Sequence, residues 1–164
     1  MAEQLIPLST PWLIGKEKDY LLECVETGWV ASGPFIGRFE EAVGGYMGCA
    51  SGVAVSSGSA ALHVALRIMN VGLGDEVITP SLTFVATTNS ISATGARPVF
   101  VDSQRETWGM DPAALRRFFE DECICKDGLG LLDKATGRRV KAILVVHLYG
   151  HPVDMDPVLE VAKQ

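Results

Sequence analysis

A chain of 164 residues with 48% hydrophobic and 21% charged side chains is long enough for one domain with a real core and too apolar to be disordered. Its formal charge of −6 argues against a nucleic-acid or anionic-membrane surface, which needs clustered Lys and Arg. No basic-then-apolar leader opens the sequence at Met1-Ala2-Glu3-Gln4, and the apolar run Ala142 to Val146 is far too short to span a bilayer, so a cytoplasmic protein is expected.

The first 35 residues read as an arm and a helix. Pro7 and Pro11 interrupt regular structure, and Lys16 to Glu26 places Tyr20, Leu21, Cys24 and Val25 at helical spacing. A turn at Ala31-Ser32-Gly33-Pro34 leads into an amphipathic helix over Ile36 to Tyr46, with Phe39 and Val43 on one side. From residue 36 onward the pattern is that of one α/β domain. Gly52 to Val55 reads as a short buried strand, and Ser59 to Met69 as a helix apolar nearly all round, so both its faces should pack. Gly72-Leu73-Gly74-Asp75 is a turn, Glu76 to Thr79 a strand, Thr83 to Ala93 a helix and Pro98 to Val101 a strand. Asp111-Pro112 has the residues of a helix start, and that helix reaches about Glu120. Residues 121–139, rich in charge and glycine, read as a surface insertion or a small hairpin. Lys141 to Val146 is a further strand, and Asp156-Pro157 opens a last helix that stops after about two turns at Gln164. Strands alternating with helices imply a largely parallel sheet, and the whole looks unfinished.

Cys24, Cys49, Cys123 and Cys125 lack zinc spacing and read as reduced thiols, so no metal site is expected. The residues that carry chemistry lie elsewhere. In Val55-Ser56-Ser57-Gly58-Ser59-Ala60-Ala61 a strand runs through a tight turn into a helix of small residues. The first turn of a helix has unpaired N–H groups and the positive end of the dipole, and Gly58 lets an anion come close. The turn is therefore either a phosphate or carboxylate cradle or an ordinary helix cap. It is neither a P-loop nor a dinucleotide fingerprint, because the Gly-Lys-Ser/Thr and the further glycines are missing. A second strand-turn-helix, Thr79 to Asn89, carries Phe84. In a parallel sheet both turns belong at the carboxyl ends of strands, where ligands bind. Phe84 could offer a flat face to an aromatic ligand, although a core Phe is the simpler reading of the residue alone.

Taken together, Ser-Ser-Gly-Ser-Ala-Ala-Leu-His at 56–63, Gly-Asp-Glu-Val-Ile-Thr-Pro-Ser-Leu-Thr-Phe-Val-Ala-Thr at 74–87 and Gly-Ala-Arg-Pro-Val-Phe-Val-Asp at 95–102 resemble the DegT/DnrJ/EryC1/StrS family. Gly28-Trp29-Val30, Gly33-Pro34, Phe39-Glu40 and His147-Leu148-Tyr149-Gly150-His151-Pro152 extend the likeness over nearly the whole chain. The resemblance implies the large domain of the type I aminotransferase fold, here its N-terminal part, with 1–35 as arm and helix and 36–164 as a partial cofactor-binding domain. It also implies pyridoxal 5'-phosphate (PLP) as cofactor, with Gly58, Ser59 and Ala60 holding the phosphate and Phe84 stacking on the pyridine ring. The expected reaction is ping-pong amination, with glutamate as donor, of the 4-keto group of a nucleotide-linked deoxy-sugar by a homodimer. Trp108-Gly109-Met110 and the 121–139 insertion resemble the branch acting on UDP-linked sugars of bacillosamine or legionaminic acid pathways.

In the family, the Asp that bonds the pyridine nitrogen and the lysine that carries the cofactor come later than Gln164. None of Lys16, Lys18, Lys126, Lys134, Lys141 or Lys163 matches that lysine, so no catalytic residue is assigned and the 164 residues alone are expected to be inactive. Two alternatives remain open: a dehydratase-type relative on the same scaffold, and a non-catalytic fragment that keeps only the phosphate turn. The truncated chain is also expected to expose an incomplete sheet edge.

Overall fold

The computed structural model describes residues 6, 7 and 9–163, which fall into two compact units divided between Ala54 and Val55. The first holds two helices. Helix α1 (Glu17–Thr27) has Glu17 and Asp19 in its first turn, where negative charge favours the dipole, and ends on Gly28 at φ 76°. Helix α2 (Pro34–Met47) starts with proline in the first turn and ends on Gly48 at φ 67°. The ring of Tyr20 in α1 lies 5.0 Å from that of Phe35 in α2, and the Arg38 guanidinium sits 5.0 and 4.6 Å from the two centroids. The chain leaving α2 folds back on it so closely that a Cβ on Gly52 would stand 2.7 Å from the Glu40 carbonyl oxygen.

The strand expected at Gly52 to Val55 does not form. Glu40 Oε1 accepts the Ala54 N–H at 2.8 Å, which takes a donor that a ladder would use, and Val53 is 80% exposed. A strand exists through its neighbour, and this segment has none among the described residues.

The second unit is a three-layer α/β assembly. Helix α3 (Gly58–Ile68) precedes strand β1 (Asp75–Pro80), followed by α4 (Val85–Ala93), β2 (Arg97–Val101), α5 (Pro112–Arg117), strands β3 (Cys123–Lys126), β4 (Gly130–Asp133) and β5 (Arg139–Ile143), and α6 (Met155–Ala162). The sheet order is β2-β1-β5-β4-β3: β1 pairs in parallel with both β2 and β5, and β3 and β4 form an antiparallel hairpin. The hairpin falls within 121–139, one of the two readings of that segment, and it makes the sheet mixed rather than largely parallel. Strand β1 is buried along its whole length, as a central strand covered on both faces must be. Its successive side chains alternate between two cores. Ile78 joins Val101, Met110, Leu115, Val158 and Val161 on the α5/α6 side, while Val77 joins Leu66, Val71, Ile91 and Ala96 on the α3/α4 side.

Several boundaries differ from the sequence reading. Helix α4 begins at Val85 rather than Thr83, and β5 spans 139–143 rather than 141–146, although the Leu144 N–H still reaches the Ile78 carbonyl at 2.8 Å. Asp154, not Asp156, caps α6; its Oδ1 accepts the Asp156 N–H. Helix α5 widens after Arg117 into a π-helical turn at Phe118–Glu122. Only one face of α3 is covered: Leu66 is buried, while Ile68 is 75% exposed.

At the amino end of β1, Asp75 Oδ1 accepts a hydrogen bond from Arg139 Nε at 2.9 Å and forms an ion pair with Arg139 Nη2 at 2.8 Å. The neighbouring Glu76 is buried and accepts one from the Thr136 hydroxyl at 2.9 Å; its second oxygen has no partner. Burial, with the Asp133 carboxylate nearby, raises the Glu76 pKa, against the lowering effect of the Thr136 bond. Burial and the same carboxylates push the Cys123 thiol up to about 11. A carboxyl with a raised folded-state pKa contributes fully below its unfolded pKa and loses that contribution as pH rises through the folded value. Glu76→Gln, which cannot ionise, is therefore expected to be more stable than the parent at pH 7, with the difference shrinking as pH falls into the ordinary carboxylate range. Thermal denaturation across that range checks it.

Candidate active site

The Ser57-Gly58-Ser59 turn is built by the start of α3. Ser57 is extended (φ −165°, ψ 163°), and its Oγ accepts the Ala60 N–H at 3.2 Å, while its carbonyl accepts the Ala61 N–H at 3.0 Å. The helix-cap reading of this turn is seen directly. The cap uses Ser57 and consumes the Ala60 amide, and the amides of Gly58 and Ser59, the first two of the helix, have no partner among the described residues. Gly58 has no positive φ, and a Cβ built there meets nothing within 4 Å. Neither backbone conformation nor internal packing calls for glycine. An open space in front of two free helix-N-terminal amides fits an oxyanion such as a phosphate.

Since Gly52 to Val55 is no strand, this turn is not at a strand end as expected. It is placed instead by α4. The Ser90 hydroxyl, itself 3% exposed, lies 2.7 Å from the Ala86 carbonyl and 3.2 Å from the Ser59 carbonyl, so its one proton ties the first turn of α3 to the second turn of α4.

Phe84 stands immediately before α4, with φ −71° and ψ 144°, and is 73% exposed. It is not a core residue. The segment carrying it is fixed by the Ser81 N–H on the Val101 carbonyl at 2.8 Å and by a 2.8 Å bond between the Thr83 and Thr87 hydroxyls. Chain order makes this place special. From β1 the chain crosses to β2 on one side, then returns past it to β5 on the other, so the gap between the carboxyl ends of β1 and β5 is the topological switch point of the sheet. A cavity of about 460 Å³ lies there, lined by Leu82, Thr83 and Phe84 after β1, by Val146 to Tyr149 after β5, and by Trp108 from the loop after β2. Another apolar cavity of about 420 Å³, between β5 and α6, contains none of the predicted site residues.

The residues matched are those of a described family. Residues 12–164 fit the family model of DegT/DnrJ/EryC1/StrS aminotransferases. The chain belongs to that family. It is 43% identical over 160 residues to the GDP-perosamine synthase of Caulobacter vibrioides, an alignment that covers 97% of this chain and 38% of the relative. Among solved structures, a DegT/DnrJ/EryC1/StrS aminotransferase from Brucella abortus superposes with a TM-score of 0.75 at 28% identity, over 89% of this chain and 36% of that one. The NtdA protein of Bacillus subtilis, solved with bound cofactor PMP, gives a TM-score of 0.69 at 30% identity, over 89% of this chain and 30% of its own. The chain thus spans well under half the length of these DegT/DnrJ/EryC1/StrS relatives, and its fold is that of their α/β region.

Two lining residues, Trp108 and Tyr149, are given no site role by the sequence, although each precedes a loop glycine (Gly109, Gly150) in a family motif. The Ala31-Ser32-Gly33 loop lies in the first unit, where Gly33 packs against Trp29. No helix among the described residues is long and apolar enough to cross a membrane.

Proposed function

We propose that this chain supplies the phosphate-binding and ring-stacking part of a PLP-dependent sugar aminotransferase that works as a cytoplasmic homodimer. The reaction is amination, with glutamate as donor, of the 4-keto group of a nucleotide-linked deoxy-sugar. Residues 36–164 would be part of the large domain and 1–35 its arm. The observation that carries this is the pair of free amides at Gly58 and Ser59 behind an open glycine, on a helix tied through Ser90 to the segment that displays Phe84.

When bound, PLP supplies the electron sink that lets an amino group move between an amino acid and a carbonyl carbon. The chain's own residues hold it. The Gly58 and Ser59 amides and the Ser59 hydroxyl would donate to the phosphate, with the helix dipole favouring the negative charge. Phe84 would cover one face of the ring and keep water from it. Ala60, named with them from the resemblance, would contribute its small side chain rather than its amide, which Ser57 already holds. No lysine lines the switch-point cavity among the described residues, and Lys141 lines the other one. Residues 1–164 alone are therefore proposed not to transaminate.

The test measures PLP affinity and glutamate-dependent amination of GDP- and UDP-linked 4-keto-6-deoxy sugars, using the full-length polypeptide carrying this chain and, separately, residues 1–164. Turnover is expected only from the former. A full-length polypeptide without PLP affinity would overturn the cofactor reading, and turnover by residues 1–164 would overturn the proposed inactivity. The ratio of kcat/KM for the two nucleotides decides between the UDP-linked sugars suggested by Trp108-Gly109-Met110 and the GDP-linked sugar in the Caulobacter relative's name.

A further inference from the structure

Among the described residues, three other than glycine have positive φ: Asn70, Trp108 and Tyr149. Asn70 follows α3 in a turn and is a residue type that tolerates the left-handed region. Trp108 (φ 60°) and Tyr149 (φ 52°) are bulky aromatics for which that region is a genuine outlier, and both line the switch-point cavity with Phe84.

Neither is a loose loop residue. The Trp108 N–H reaches the Gln104 carbonyl, and the Gln104 N–H the Gly109 carbonyl, both at 2.9 Å, inside a loop closed by an antiparallel bridge between Ser103 and Met110. Around Tyr149, the Gly150 N–H meets the His147 carbonyl at 3.0 Å, and His147 Nδ1 accepts the Val153 N–H at 3.1 Å. The two loops are then fastened to each other. Buried Val153 approaches Gly109 so closely that a Cβ there would lie 2.7 Å from Val153 Cγ2. Strain is thus retained in two cross-braced loops, yet the rings they display stay 55% and 80% exposed. Rings held out at a conformational cost have no reason inside the fold; a ligand gives one.

We infer that Trp108 and Tyr149 form an aromatic clamp for the sugar ring of the nucleotide-linked substrate. This rests on the aminotransferase reading above, because the carbon to be aminated must lie beside the cofactor ring that Phe84 would cover, and the clamp opens on the same cavity. The cavity's chemistry agrees. Among the described residues no Lys or Arg lines it, so it does not suit a diphosphate, and its polar side chains are Thr83, His147 and the ring ends of Trp108 and Tyr149. A 6-deoxy sugar offers a C–H face that packs on aromatic rings, leaving its hydroxyls for the polar groups.

Asn accepts the left-handed region more readily than an aromatic residue, so Trp108→Asn and Tyr149→Asn delete each ring without adding backbone strain, and Tm is expected to hold or rise. In the full-length polypeptide, calorimetry would measure binding of GDP- and UDP-linked 4-amino-4,6-dideoxyhexoses and of free GDP and UDP, alongside KM for glutamate. Each variant is expected to bind the better amino-sugar nucleotide about tenfold more weakly, with the free nucleotides and the glutamate KM unchanged. Equal losses for the free nucleotides would place the base, not the sugar, between the rings, and no loss for either would leave the rings idle; both outcomes overturn the clamp. Wild-type protein that binds the amino-sugar nucleotides through these rings but fails to bind PLP would instead sink the aminotransferase reading alone.

Discussion

Gly58→Val in the full-length polypeptide is expected to weaken PLP binding by about a hundredfold or more while leaving Tm unchanged or slightly raised. The two halves of that expectation come from one geometry. Position 58 begins α3 with no positive φ and with open space where a Cβ would stand, so a side chain meets no obstacle and removes a glycine from a helix. The same space lies in front of the unpaired Gly58 and Ser59 amides, and an isopropyl group there keeps a phosphate from reaching them. Ser57→Ala gives the contrasting result. It removes the cap on the Ala60 amide, which is expected to cost about 1 kcal/mol of stability, but it leaves both free amides in place and PLP affinity within about twofold. Fluorescence titration with PLP and thermal melts on the two variants separate cap from cradle. If Gly58→Val bound PLP like the parent, the cradle would have to lie elsewhere; if it unfolded, the open space at Gly58 would be wrong.

How far the sequence discloses this depends on whether a feature is local. The helix cap at Ser57, the proline-led start of α5 and the glycine-rich hairpin are written in short stretches, and the structure has each where the residues put it. The failures need a partner that local pattern does not show. Val53 and Val55 have strand composition, but the N–H of Ala54 between them goes to the Glu40 carboxylate, 14 residues earlier, and no neighbouring strand competes for it among the described residues. Nothing local to Glu76 shows that it is buried; the segment after β4 brings the Thr136 hydroxyl onto its carboxylate. Ile68 reads as core because apolar residues surround α3, yet α4 covers only one face. In the site, Phe84 on its own merits looked like core and is largely exposed, and only the motifs around it pointed to a ligand face. Trp108 and Tyr149 were within quoted motifs, but backbone handedness is invisible in composition, and it is the positive φ that sets them apart from ordinary loop aromatics.

Ile78→Ala is expected to be the most destabilising single change near the site, lowering stability by about 3 kcal/mol and Tm by about 10 °C. Ile78 is fully buried at the centre of β1, the strand with parallel partners on both sides, and faces the core that joins β2, α5 and α6. Removing its side chain leaves a cavity among Val101, Met110, Leu115 and Val158, whose backbones are held by separate elements and cannot all close on it. Phe84→Ala, six residues on and largely exposed, is expected to change stability by less than about 0.5 kcal/mol although it deletes a larger side chain. Urea titration of the two variants therefore tests the division of labour along this segment. The interior of β1 holds the sheet together, and the segment that emerges from it carries the exposed Phe84 ring proposed to stack on the cofactor. A Phe84 variant as unstable as Ile78→Ala would return Phe84 to the core and remove the stacking surface from the proposed site. An Ile78 variant as stable as the parent would mean that β1 is not the strand on which the two cores depend, and the switch-point cavity at its carboxyl end would lose the rigid wall that its use as a binding site requires.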